Sequence, residues 1–266
     1  MQVRNVIVVV KKLVCFFSLL LCCCAHSKTY VVASQNFNYF PHYHFSSNED
    51  KGFIWALLET YTKYSGDKFI YVSLPVKRLQ TELVKGTVDI IYPDNPIFRP
   101  AYLEPKNKYY SHTIVETISC VAVKPTFDFS SKNDIHRLSL PAGFATMDWG
   151  GLITQGAIKL IEVTSSLQAL QYVDRGKADG TEIDYFVMRH LSKSSPSIDR
   201  FAVGVHLPKK MTEFKIATIK HRDLVSKIEA FMNANPTLIE NLKIQYGIGN
   251  ARSTLSTLSA PIPEQI

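Results

Sequence analysis

Few side chains in this chain are spaced for chemistry, and most of those carry charge. Arg99 falls in a loop after an expected third strand, where open α/β sheets bind ligands; the alternative is a lobe–lobe salt bridge. Asp184 stands directly before a helical run, so its carboxylate either caps that helix or faces a ligand. Arg78 opens another helix and either touches a ligand or supports a cleft wall. Asp148-Trp149-Gly150-Gly151 sets a carboxylate beside a ring suited to stacking, with ordinary core packing the alternative for Trp149. Phe37, Tyr39 and Phe40 follow the first strand, and one of them is expected to form an aromatic platform. His42-x-His44 puts two imidazoles on one face of a strand, but no third or fourth ligand is arranged with them, so no metal site is expected.

Signals for catalysis are thin. Gly-x-Ser-x-Gly, a phosphate-binding glycine loop and His-Glu-x-x-His are all absent from the sequence. Ser65-Gly66-Asp67-Lys68 spells Ser-x-x-Lys, but it ends a helix where a nucleophilic serine should begin one. Cys120 lies in the apolar run Ile118-Ser119-Cys120-Val121-Ala122-Val123 and reads as a buried strand residue. Binding without a cofactor, rather than turnover, is the expectation.

A phrase that occurs twice suggests how such residues are held. Arg78-Leu79-Gln80-Thr81-Glu82-Leu83-Val84-Lys85-Gly86-Thr87-Val88-Asp89-Ile90-Ile91 is echoed by Leu167-Gln168-Ala169-Leu170-Gln171-Tyr172-Val173-Asp174-Arg175-Gly176-Lys177-Ala178-Asp179-Gly180. Each copy reads as a short amphipathic helix, a glycine stop, a step to an aspartate and a strand. Two such units imply two similar lobes, and a cleft between lobes is a place for a small molecule.

The flanks read differently. Residues 1–27 resemble a secretory signal peptide: Arg4, Lys11 and Lys12 precede an apolar run over 13–25, and Ala25-His26-Ser27 offers small residues for cleavage before Lys28. Leu or Cys, not a small residue, precedes Cys22, Cys23 and Cys24, so no lipid anchor is expected. The leader removes three basic residues and no acid, taking the net charge from +7 to +4, a mild excess without a basic block that does not indicate nucleic-acid binding. Cys120 is then the sole cysteine, which excludes an internal disulfide.

Periodicity predicts strands at 29–33, 69–72, 88–92, 117–123, 160–163, 180–183, 201–205 and 214–219, and helices at 52–65, 76–85, 185–191, 221–233 and 236–245. Residues 152–159 read as a helix or turn, Ser165-Ser166-Leu167-Gln168 as a capping box, and 253–266 as frayed. Strand–helix alternation implies a mostly parallel sheet in each lobe, flanked by helices. Ile216-Ala217-Thr218-Ile219-Lys220 echoes Val121-Ala122-Val123-Lys124, which marks a two-strand hinge. Lobe one is expected to hold 28–124 with 213–249, lobe two 125–212, and 250–266 a flexible tail.

These motifs together resemble the type II periplasmic solute-binding proteins, specifically the extracellular solute-binding family 3 of polar amino acid uptake. The carriers are Pro75-x-x-Arg78, the first Gly-x-x-Asp, Arg99 followed by Tyr110-Ser111, Ser166-x-x-Ala169-Leu170, the second Gly-x-x-Asp, Asp184 and Ile216-Ala217-x-x-Lys220. The resemblance implies that Arg99 grips a ligand carboxylate, that Asp184 takes its ammonium, and that backbone N–H groups of Gly143-Phe144-Ala145-Thr146 meet an anionic group. It also implies a periplasmic monomer that delivers a small polar solute to an inner-membrane ABC permease. The alternatives are a cyclohexadienyl-dehydratase-like enzyme on the same fold and a periplasmic sensor. One departure stands out: Tyr92-Pro93-Asp94-Asn95-Pro96-Ile97-Phe98-Arg99 is two residues shorter than the family's run and places Asp94 where ligand hydroxyl contacts normally sit. Tyr92, Asp94 and Asn95 are therefore expected to face the ligand, which would carry cationic or hydroxyl groups of its own.

Overall fold

The computed structural model describes residues 27–127, 129–146, 148–194 and 201–259. The leader expectation falls on residues 1–26 and lies outside them. Strand β1 (Thr29–Gln35) is followed by helix α1 (Phe53–Ser65), β2 (Lys68–Leu74), α2 (Val76–Lys85) and β3 (Ile90–Asp94). The amphipathic spacing read from the sequence buries Ile54, Leu57, Leu58 and Tyr61 of α1. Gly66 ends the helix at φ +78°, a left-handed conformation that glycine adopts without steric cost. Strand β1 pairs in parallel with both β2 and β3.

The chain then runs through β4 (Tyr109–Tyr110) and β5 (Val115–Val123) to β6 (Arg137–Pro141), α3 (Gly150–Thr154), β7 (Lys159–Val163), α4 (Ser166–Asp174), β8 (Gly180–Asp184) and α5 (Tyr185–Ser194). It returns through β9 (Ala202–Val203) and β10 (Lys210–Thr218) and closes with α6 (Arg222–Ala234), α7 (Pro236–Gln245) and α8 (Ala251–Ser259). Strand β6 pairs in parallel with β7 and β8. The hydrogen-bonded path is β2-β1-β3-β10-β5-β8-β6-β7.

Strand β10 joins two half-sheets. Its residues 215–218 pair with β3 and β4, whereas 210–214 pair with β5, and the register shifts between Lys215 and Ala217. On β5, residues 119–122 pair with β8. The second half-sheet therefore takes in the outgoing strand β5, whose cross-strand partners come from β8, β9 and β10.

Both repeats end on the same device. The backbone N–H of Asp89 donates to Val31 O, and Asp89 Oδ2 accepts from Val31 N at 2.7 Å. The backbone N–H of Asp179 donates to Arg137 O, and Asp179 Oδ2 accepts from the N–H groups of His136 and Arg137. Each aspartate thus bolts its own strand to a parallel neighbour, β3 to β1 and β8 to β6.

Within the expected tail, Ala251–Ser259 form α8, and residues 260–266 lie outside the described residues. Asn250 Oδ1 caps α8 by accepting from Ser253 N, and Leu255 and Leu258, at i and i+3, pack on the main core. An amphipathic stripe sits inside what composition alone reads as Ser/Thr-rich fraying.

Candidate functional site

A cavity of about 450 Å³ lies between the half-sheets, within the range of small-molecule sites. Gln35, Tyr39, the start of α2 and Arg99 line it on one side; Thr117, Ser119, Glu182, Asp184, Thr212 and residues 143–145 line it on the other.

Arg99 enters the cavity with its guanidinium already engaged. Nη2 donates to Asp94 Oδ1 at 2.6 Å, and Nη1 donates to Glu104 Oε2 at 2.7 Å. Lys108, with only 1 % of its side chain exposed, bridges the same two carboxylates and donates to Gln80 Oε1. Tyr110 donates its hydroxyl to Glu104. Two cations and two carboxylates balance within one buried cluster, the arrangement that makes buried charge tolerable. Burial works against the Arg99 charge, but Asp94 and Glu104 more than offset it and raise its pKa. Burial likewise pushes Glu104 up, while Lys108, Tyr110 and Arg99 outweigh that and hold it below the usual carboxylate range.

Asp184 sits on the opposite wall and has protein partners on both oxygens. Oδ1 accepts from the N–H groups of Phe186 and Val187, the second and third residues of α5, and so caps that helix. The same oxygen lies 3.1 Å from His42 Nε2, while Oδ2 accepts from the Thr117 hydroxyl. His42 is fully buried, and the pairing carries it across the cavity from the loop after β1. Asp184 is a cap, and it also lines the cavity.

A third polar feature, unmarked in the sequence reading, lies two residues earlier on β8. Glu182 shares the cavity face with Asp184, since alternate strand residues point the same way. The Ser119 hydroxyl donates to Glu182 Oε1 at 2.7 Å, and the Trp149 indole N–H, which has no other partner, also favours the charged carboxylate. Burial pushes the Glu182 carboxyl up; the Ser119 hydrogen bond opposes this and Asp148 adds to it. Asp148 is itself paired with Lys210 at 2.5 Å. Spacing from Asp184 was the available signal.

Several expected ligand contacts stand elsewhere. Arg78 is exposed and pairs with Glu82 one turn along α2, outside the cavity wall. Tyr92 is wholly buried, edge-on to Tyr43 and Phe214. Asp94 is spent on Arg99 and Lys108, and Asn95 caps a single 3₁₀ turn while its amide donates to Glu213 O. Trp149 is core, packed with Leu138, Leu140 and Ile158, and Thr146 does not reach the cavity. Phe37 meets Phe144 edge-on instead of facing the space, whereas Tyr39 lines it. Of the expected backbone donors, Gly143 N–H donates to Glu162 Oε1 and Phe144 N–H to Pro141 O. Phe144 instead contributes its ring, edge-on to both Phe37 and Tyr39, and closes the second half onto the first. Among the described residues, no group of three or more His, Cys, Asp or Glu is placed to hold a metal.

Neither a family model nor a curated protein matches the sequence. Solved structures do match in shape. An ancestral arginine-binding protein bound to arginine superposes with a TM-score of 0.67 at 16% identity, covering 82% of this chain and 97% of that one. An arginine 3rd transport system periplasmic binding protein from Legionella pneumophila gives 0.65 at 16% identity, with 83% and 100% covered. The ancestral amino acid-binding protein AncCDT-1, a precursor of cyclohexadienyl dehydratase, gives 0.66 at 17% identity, with 82% and 95% covered. Identities this low speak to fold, and the fold is that of the type II periplasmic binding proteins.

Proposed function

We propose that this protein captures a small polar solute, an amino acid or a related compound, between two lobes and hands it to an inner-membrane ABC permease from the periplasm. The single observation that carries the reading is the cavity between the half-sheets, with Arg99 on one wall and Asp184 on the other. The named ligands of the shape neighbours support it, being arginine and amino acids. In this reading the lobes correspond to the two half-sheets, and closure excludes water and strengthens polar contacts as the local dielectric falls. Asp184 retains acceptor capacity on Oδ2, which holds one hydrogen bond and has room for a ligand ammonium. The protein acts by binding, as a monomer, and without a cofactor.

A thermal-shift screen of amino acids, polyamines and small organic acids tests it, since a ligand at 100 times its Kd adds ~2.7 kcal/mol of stability. Titration calorimetry of Asp184→Ala then locates the site: the expected loss is about 2–5 kcal/mol of binding energy, as for one partner of a buried pair. Substitution of the exposed Lys63 to Ala should leave affinity unchanged. A screen in which no compound raises the melting temperature would sink the solute reading.

A further inference from the structure

Aromatic rings form much of the cavity wall. Tyr39 and Tyr43 come from the loop after β1, Phe98 from the turn after β3, Phe144 from the turn after β6 and Phe214 from β10. They make one connected set. Tyr39 stacks on Tyr43 with centroids 5.3 Å apart, meets Phe144 edge-on at 5.6 Å and lies 6.4 Å from Phe214, which Phe98 meets edge-on at 6.3 Å. Such a set favours a further ring, offset or edge-on, in the space it encloses.

The groups suited to receive a carboxylate are spent. Arg99 divides its fork between Asp94 and Glu104, and Lys108 joins the same two carboxylates, so the charges of that cluster balance. An incoming anion would stand beside two carboxylates already in place. In the turn after β6, Gly143 N–H donates to Glu162 and Phe144 N–H to Pro141. Among the described residues that line the cavity, Lys77 is the cation without an ion pair, but it is exposed at the start of α2, where solvent screens its charge. A carboxylate carried further in would lose its water with no free cation to replace it. An ammonium does have a partner: Asp184 Oδ2 holds a single hydrogen bond, from Thr117, and keeps acceptor capacity.

We propose that the solute is an aromatic monoamine without a carboxylate, its ring packed among the five side-chain rings and its ammonium on Asp184. The proposal rests on the solute-binding reading and narrows it from amino acids to carboxylate-free aryl amines. The rings supply the apolar contact, Asp184 the charge, and the neutralised Arg99 cluster the discrimination against an anion.

Titration calorimetry with 2-phenylethylamine and three analogues tests it. L-Phenylalanine adds a carboxylate, 2-phenylethanol replaces the ammonium with a hydroxyl, and 1-aminobutane replaces the ring with an alkyl chain. Wild type should bind 2-phenylethylamine roughly ten- to hundred-fold more tightly than L-phenylalanine, the penalty for a charge enclosed without a partner. It should also bind it roughly ten-fold more tightly than either other analogue. Glu104→Gln releases one arm of Arg99 and leaves positive charge in excess on that wall, so it should bring L-phenylalanine several-fold closer to the amine. Asp184→Asn should erase the preference over 2-phenylethanol. Any analogue that matches 2-phenylethylamine on wild type overturns the proposal, as does an amine-to-amino-acid ratio that Glu104→Gln leaves unchanged. If L-phenylalanine is the match and loses that affinity in Lys77→Ala, the carboxylate belongs to Lys77. Silence from all four probes while the wider screen yields another ligand also overturns the proposal and leaves the solute reading standing; silence from the whole screen removes both.

Discussion

His42 Nε2 and Asp184 Oδ1 lie 3.1 Å apart although 142 residues separate them in the chain. The imidazole comes from the loop after the first strand and the carboxylate from the end of β8, so one buried hydrogen bond joins the two halves of the protein. The same oxygen caps α5, which couples the helix start to the interlobe contact.

Replacing His42 with alanine should therefore do two things. It removes a buried partner and leaves Asp184 under-satisfied, with an expected stability loss of about 1–3 kcal/mol. It also removes a fastening between the halves. Urea unfolding reads the first effect, and small-angle scattering of the free protein reads the second as a larger radius of gyration. An unchanged unfolding midpoint would show that the pairing contributes nothing.

Truncating Arg99 should cost stability even before any ligand is added. The side chain balances Asp94, of which 1 % is exposed, and without it that carboxylate keeps Lys108, the Gln80 amide and the Asn95 N–H. The loss should approach the ~3–5 kcal/mol of a broken buried pair. Arg99→Lys keeps the charge but cannot fork between Asp94 and Glu104, so it should restore only part of the loss. Full recovery with lysine in a denaturant titration would contradict the forked role.

Acid stability should depend on Asp179. Burial pushes its carboxyl up, but Arg137 and the N–H groups of His136 and Arg137 outweigh burial and hold it below the usual range. A group depressed in the folded state contributes stability above its unfolded pKa, and that contribution drains as pH falls through the folded value. Wild type should thus lose stability on acidification from about pH 4 downward, the unfolded carboxylate range, and Asp179→Asn should lose less over the same window. Parallel melting curves for the two proteins between pH 5 and pH 2 would reject this.

The fold was far more legible than the site. Helix α1 and both repeats could be read because apolar spacing and glycine stops are local signals. The tail helix escaped because Leu255 and Leu258 are too sparse a stripe to outweigh Ser and Thr until the core they pack on is known. Position in the chain brought out Arg99 and Asp184, both of which line the cavity, yet it said nothing of what else each would touch. Lys108 and His42 are distant partners, and no spacing rule reaches from 42 to 184. Asp94 stands out in the sequence, but its charge turns toward Arg99 and Lys108. Trp149 and Tyr92 illustrate a general bias: a large ring near a chemical motif is more often core than contact.

The twin bolts at Asp89 and Asp179 carry a consequence for redesign. What recurs in the two halves is scaffold, and neither bolt contributes to the wall of the cavity. The polar residues that line the cavity, from Glu182 and Thr212 to Arg99, occur once. A combinatorial library confined to those unrepeated positions would vary recognition while the recurring strand fastenings stayed intact, so new specificities could be sought without first rescuing a broken framework.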